Sequence, residues 1–176
     1  ISNALLVGLS VGGLIVQGVY HSRPDLVCGL VLCDTAAKIG NETMWNDRIE
    51  IARKGGLEAL LEANMQRWFS PNFHKNNQIE LRGYEAMFTR TPLEGYIGTG
   101  TAIRDADFTS KASSISVPTT CVVGEYDGAT NPELVEGTAK LIPGSKFEVI
   151  KNAGHIPCAE QPKEIIQIIR EMIAII

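Results

Sequence analysis

A serine between glycines, Gly8-Leu9-Ser10-Val11-Gly12, separates a short apolar run, Asn3 to Leu9, from a helical stretch, Leu14 to Tyr20. In a strand–turn–helix setting, G-x-S-x-G holds a serine on a turn tight enough to present its hydroxyl as a nucleophile. Such a turn strains the backbone, and glycines two residues to either side remove side chains that would clash. The helix that follows aims its first amides at the site, which makes the Val11 N–H a candidate oxyanion donor. The phosphate-binding patterns G-x-x-x-x-G-K-[ST] and G-x-G-x-x-G are absent, so the alternative is a plain glycine-rich turn.

A serine hydroxyl needs a base, and the chain offers three histidines. His21 closes a helix, and His74 lies in the polar stretch PNFHKNN, where solvation is the expectation. His155, in Asn152-Ala153-Gly154-His155, follows a strand-like run, Lys146 to Ile150, and is the base by position. The base in turn needs a carboxylate to fix its tautomer. Asp127, in Gly124-Glu125-Tyr126-Asp127-Gly128, follows the run Thr119 to Val123, and Asp34 follows the run Val27 to Cys33. Both positions suit an acid, and both suit an ordinary turn aspartate. Asp127 is preferred because its strand neighbours the one before His155; the chain order Ser, Asp, His, which either aspartate satisfies, is the one a strand–turn–helix nucleophile implies.

These residues need a scaffold that brings strand ends together. Apolar runs alternating with helices imply a parallel, doubly wound α/β sheet with right-handed crossovers. Between the second and third runs the pattern changes to helices alone, expected over Asn46 to Arg53, Leu57 to Phe69, Gln78 to Phe88 and Pro92 to Ile103. A helical insertion there would cover the carboxyl ends of the strands, where such sheets bind ligands. The segments are then 1–35, core with the serine turn; 36–114, helical cap; and 115–176, core with acid and base. In the last segment Asn131 caps a helix that opens on Pro132, and Pro162 begins a final helix to Ile175.

Composition narrows the partners. The 176 residues carry a formal net charge of −4 and no run of Lys or Arg, which argues against nucleic acid. No apolar stretch approaches the ~20 residues of a membrane span, and the first residues lack the charged start of a signal peptide. The four cysteines show no metal-ligand spacing and read as reduced thiols of a cytoplasmic protein. No metal and no cofactor is expected.

At these motifs the sequence resembles the 3-oxoadipate enol-lactonase family of the α/β-hydrolase superfamily. The similar segments are GLSVGGLIVQ, LVLCDTAAKIG, MQRWFSPNF, RDADF, GEYDGATNPE and NAGHIPCAEQP, spread over the whole chain. The resemblance implies the α/β-hydrolase fold and hydrolysis of a small anionic lactone, a step in aromatic-acid catabolism. It also implies a cation and an aromatic wall in the cap, for which Arg67 and Trp68 are the candidates and Arg104 a weaker one. Arg104 has an alternative as a partner for Asp105 or Asp107. A complete fold of this kind carries four more strands and two helices ahead of the serine turn, about 80 residues at ordinary element lengths. The N-terminal strands are therefore expected to be absent here, with the second oxyanion donor among them. The run Asn3 to Leu9 would be an open edge, suited to a separate N-terminal segment or to self-association. Two other functions share the triad: hydrolysis of carbon–carbon bonds in ring-cleavage products, and a receptor-like relative that binds ligand with little turnover.

Overall fold

A computed structural model describes residues 2–176; Ile1, the first residue of the 1–35 segment, lies outside them. Four strands form one parallel sheet in the order β1 (Ala4–Leu9), β2 (Val27–Cys33), β3 (Thr119–Gly124) and β4 (Lys146–Ile150). Each strand pairs with its sequence neighbour, and β1 hydrogen-bonds only β2 among the described residues. Val7 on β1 is 44% exposed, whereas β3 is buried along its length. This is the arrangement of an α/β-hydrolase sheet, as the alternation of apolar runs and helices requires.

Both faces of the sheet are covered, which is why its central strands are apolar throughout rather than alternating. On one face Leu30, Leu32, Cys121 and Val123 pack with Tyr20 of α1 (Val11–Ser22) and with Val135 and Ala139 of α7 (Pro132–Leu141). On the other, Val31, Cys33 and Val122 pack with Ile165, Ile168 and Met172 of α9 (Pro162–Ile173). The last helix thus ends two residues earlier than the sequence suggests. Asn131 caps α7 as expected, its side chain accepting from Leu134 N–H at 3.0 Å.

Between β2 and β3 the chain is helical: α2 (Glu42–Gly55), α3 (Glu58–Trp68), α4 (Pro71–Asn76), α5 (Gln78–Thr89) and α6 (Leu93–Asp105). The sequence pattern gives no helix between Phe69 and Gln78, but Ser70 caps α4 by accepting from Phe73 N–H, and Pro71 supplies its first residue. The same logic hides α8 (Pro157–Glu160), again opened by a proline. Phe69, Phe73 and Phe88 form the core of this helical layer with Leu57, Leu60 and Met65. A second cluster joins it to α1 through Leu14, Ala36, Ile39, Trp45 and Ile103.

The serine turn corrects one part of the glycine argument. A side chain at Gly8 would collide with the backbone of Gly12 and Gly13, and one at Gly13 with Thr35. A side chain at Gly12 would meet nothing within 4 Å. The tight contacts are therefore made by Gly8 and Gly13. The helix begins directly at Val11, three residues before the apolar pattern suggested, because two glycines there carry no hydrophobic signal. Gly8→Ala is expected to destabilise the chain by about 3 kcal/mol through overpacking. Gly12→Ala, inside α1, is expected to leave stability unchanged or raise it by up to about 1 kcal/mol. Denaturant unfolding of the two variants checks this, and equal losses would refute it.

Candidate active site

Among the described residues, three of the four non-glycine residues with positive φ stand just beyond strand carboxyl ends: Ser10 (φ 55°), Asp34 (φ 47°) and Asn152 (φ 56°). An L-residue holds that conformation only where its surroundings over-determine it. At Ser10, the backbone N–H donates to Cys33 O at 2.9 Å, while Ser10 O accepts from Thr35 Oγ1 at 2.7 Å and from Gly13 N–H at 2.9 Å. The turn is thus bolted to the end of β2, and Ser10 and Val11 face a cavity of about 310 Å³. Val11 is the first residue of α1, where helix geometry leaves backbone N–H groups without intrahelical partners.

His155 lines the same cavity from the loop after β4. Its Nδ1 bonds Asp127 Oδ2 at 2.9 Å, which leaves Nε2 as the nitrogen available to a hydroxyl. Asp127 is almost wholly buried on the loop after β3. Its Oδ1 accepts from Ala129 N–H at 2.7 Å and Thr130 N–H at 3.0 Å, and its Oδ2 also accepts from Thr130 Oγ1 at 2.7 Å. Burial pushes this carboxyl up, but the His155 partner and the Thr130 bonds outweigh it and hold the group below its ordinary value. A strained serine and a buried imidazole therefore line one cavity, with an ionised aspartate bonded to the far side of the imidazole, an order that suits a nucleophile–base–acid relay.

Asp34, the competing acid, is fully buried beside this pair. Its Oδ1 accepts from Gly124 N–H at 2.9 Å, and its Oδ2 has no hydrogen-bond partner. Burial pushes its carboxyl up to about 9, with the neighbouring Asp127 charge acting in the same direction. Two carboxyls thus lie close together, one ionised on the imidazole and one protonated. Ligand atoms of Asp34, Asp127 and His155 lie within 4.8 Å of one another, a spacing that suits a metal ion. The imidazole Nδ1, however, is engaged by Asp127, and burial favours a proton on Asp34, so the trio does not offer a metal ion three free ligands.

The other histidines stand apart. His21 stacks on Phe108 with ring centroids 5.6 Å apart, and burial lowers its pKa. His74 is half-buried rather than fully solvated: on α4 its Nε2 lies 3.0 Å from Met65 O. Arg104 is bound to Asp105 and Asn46, away from the cavity wall.

Arg67 and Trp68, at the end of α3, both line the cavity. The Trp68 indole lies stacked near the His155 ring, centroids 6.5 Å apart, and edge-on to Phe88. Arg67 is joined there by Arg48 of α2, which the sequence reading missed. Arg48 lies over the Trp45 ring and donates to Tyr96 OH at 3.2 Å. Both arginines donate to Asn64 Oδ1, from 2.7 Å and 2.9 Å. Desolvation and the adjacent Arg48 charge lower the pKa of Arg67. Thr130 and Glu160 also escaped the sequence reading. Glu160 accepts from Gly154 N–H at 2.7 Å and from both the backbone and hydroxyl of Ser70, tying the base loop to the cap. Nothing in local pattern marks Arg48 or Glu160, which act across 16 and 90 residues, while Thr130 bonds Asp127 only three residues away and reads as an ordinary turn threonine.

The chain is similar to known hydrolases over nearly its whole length. The model of the "Alpha/beta hydrolase family" matches residues 1–168. The chain is 34% identical over 171 residues to 3-oxoadipate enol-lactonase 1 of Acinetobacter baylyi, covering 96% of this chain and 63% of that protein. The second such enzyme of that bacterium is 29% identical over 163 residues, covering 93% of this chain and 61% of its own length. The chain thus spans a little over three-fifths of the curated relatives it matches. Among solved structures, the enol-lactonase of Burkholderia xenovorans LB400 superposes with a TM-score of 0.93 at 30% identity, covering 99% of this chain and 66% of that one. A thermophilic esterase of Thermogutta terrifontis superposes with a TM-score of 0.90 at 30% identity, covering 98% and 65%.

Two predictions follow from the carboxyl pair. Between pH 3.8, the ordinary value for Asp34, and about 9, its folded value, the folded chain holds a proton that the unfolded chain has lost. That burial costs more stability as pH rises. Asp34→Asn should therefore gain stability over the parent steadily across this window, with little difference at its acid end. Thermal unfolding against pH reads this, and parallel curves would mean that Asp34 is ionised in the fold. In turnover the order reverses: Asp127→Asn should cost about 10⁴-fold, by leaving the imidazole in the wrong tautomer, and Asp34→Asn far less. A larger loss from Asp34→Asn would exchange the two assignments.

Proposed function

The chain belongs to the alpha/beta hydrolase family, and from that premise we propose that the protein hydrolyses a small, carboxylate-bearing lactone or ester by serine catalysis, with 3-oxoadipate enol-lactone as the leading substrate. The observation that carries this reading is a single cavity wall shared by Ser10, His155 and two arginines. A volume of about 310 Å³ suits a compact substrate, and the guanidiniums suit its anionic end.

In this reaction the Ser10 oxygen attacks the lactone carbonyl carbon while His155 Nε2 takes the hydroxyl proton. Asp127 holds the imidazole in the required tautomer and stabilises its cation. Charge developing on the carbonyl oxygen falls to the Val11 N–H at the start of α1. The ring C–O bond breaks, and His155 returns the proton to the leaving enol oxygen. The acyl group stays on Ser10 until a water, deprotonated by His155, displaces it as a carboxylate. The enol then becomes the ketone, so one water is consumed and no redox step occurs. Arg67 binds the carboxylate that the lactone already carries, and Trp68 forms the wall between that end and the base.

Ser10→Ala and His155→Ala should each abolish turnover in the full-length protein while leaving the far-ultraviolet circular dichroism intact, since relay members act as a unit. His21→Ala and His74→Ala should retain turnover. Consumption of 3-oxoadipate enol-lactone should exceed that of a ring-cleaved dienoate, which separates lactone from carbon–carbon hydrolysis. Ligand binding without steady turnover of either would favour a receptor-like protein and refute the reading.

A further inference from the structure

Arg48 and Arg67 face a largely apolar cavity, and neither forms an ion pair with a carboxylate among the described residues. Both side chains are half-buried with their Nε atoms shielded from solvent, and charge drawn out of water is ordinarily neutralised by a partner. Here the shared partner is Asn64, fully buried, whose amide oxygen accepts from both guanidiniums. An amide oxygen orients two cations side by side and cancels neither. Three buried donors remain without partners at this point: Arg48 Nε, Arg67 Nε and Asn64 Nδ2. They account for half of the buried, unpartnered side-chain polar atoms among the described residues. An aspartate at position 64, the same shape with one oxygen in place of NH₂, would satisfy the guanidiniums and remove the excess charge.

We infer that Arg48, Arg67 and Asn64 form a carboxylate subsite in which Asn64 is a positioning residue that keeps the subsite cationic until substrate arrives. The substrate class is an ester or lactone carrying one free carboxylate away from the scissile bond, its two oxygens met by the two guanidiniums. Arg48 and Arg67 touch that carboxylate, and Asn64 acts through them. Tyr96 steadies Arg48 with its hydroxyl, and the Trp45 ring lies beneath the Arg48 guanidinium. This inference rests on the hydrolase reading above but adds what selects the substrate.

The test uses the full-length protein, with mono-4-nitrophenyl glutarate as the anionic ester and 4-nitrophenyl butyrate as the neutral one. The quantity read is the ratio of kcat/KM for the two. Asn64→Asp should lower that ratio about 10- to 100-fold, chiefly through KM for the anionic ester, as loss of a charge-assisted hydrogen bond implies. Arg48→Met should lower it by a similar factor. Because both changes disable one subsite, the double variant should fall well short of the product of the single effects. Asn64→Ala, which removes the tether without adding charge, should lower the ratio less than Asn64→Asp does. If Asn64→Asp does not fold, Arg48→Met and Arg67→Met carry the test by themselves. A ratio unchanged within twofold in the folded variants would overturn the subsite. Failure of the hydrolase reading looks different: neither ester would then be turned over by the parent, while glutarate binding to the Ser10→Ala variant, by calorimetry, would still report on the arginines. Loss of that binding in Asn64→Asp supports the subsite, and undiminished binding overturns it.

Discussion

Two backbone carbonyls at the end of α3 hold the site together. Arg67 O accepts from Gly128 N–H of the acid loop at 3.0 Å, and Trp68 O from His155 N–H of the base loop at 2.9 Å. A helix leaves its last carbonyls without internal partners, and these two are satisfied by the loops that carry Asp127 and His155. The approach is close enough that a side chain at Gly154 would strike Trp68 O and the Phe69 backbone. One at Gly124 would strike the backbone of Ala153 and Gly154. The glycines in GEYDG and NAGH are thus conditions for the contact between three elements, besides being turn formers.

Because α3 also carries Asn64, Arg67 and Trp68, the groups that would meet substrate and the groups that would act on it share one rigid link. Glu160 adds a second tether, gathering Gly154 from the base loop and Ser70 from the cap onto one carboxylate. A shift of α3 therefore moves the base and the anion-binding wall together. This geometry favours a fixed spacing between the reacting carbonyl and the charged end of a substrate.

The electrostatics divide along the same line. Behind the imidazole, two aspartates are held in opposite states: Asp127 ionised by His155 and Thr130, and Asp34 protonated by burial. Environments that push neighbouring titratable groups apart are how a site assigns roles to identical side chains. In front, two guanidinium charges are left uncancelled because their common partner is an amide. One carboxylate charge behind the base and two guanidinium charges before it leave the cavity biased toward anions.

The sequence by itself determined the strands nearly to the residue, the sheet's parallel character, the serine turn and the choice of His155, because these depend on local pattern and on chain order. It placed the helical cap as a layer, yet missed α4 and α8, whose opening prolines read equally well as breaks. It preferred Asp127 to Asp34 on strand adjacency alone, since both follow strands, and burial and hydrogen bonding are what separate their charge states. It identified Arg67 through resemblance and had no means to find Arg48, Asn64, Thr130 or Glu160. Arg48, Asn64 and Glu160 acquire their roles from partners on other elements: Arg48 and Asn64 stand 16 residues apart, and Ser70 and Glu160 stand 90 apart. Periodicity and motif register what a residue does for its own strand or turn. Charge state, and the choice of partner across the fold, are set by distance and desolvation in three dimensions, which only the tertiary structure fixes.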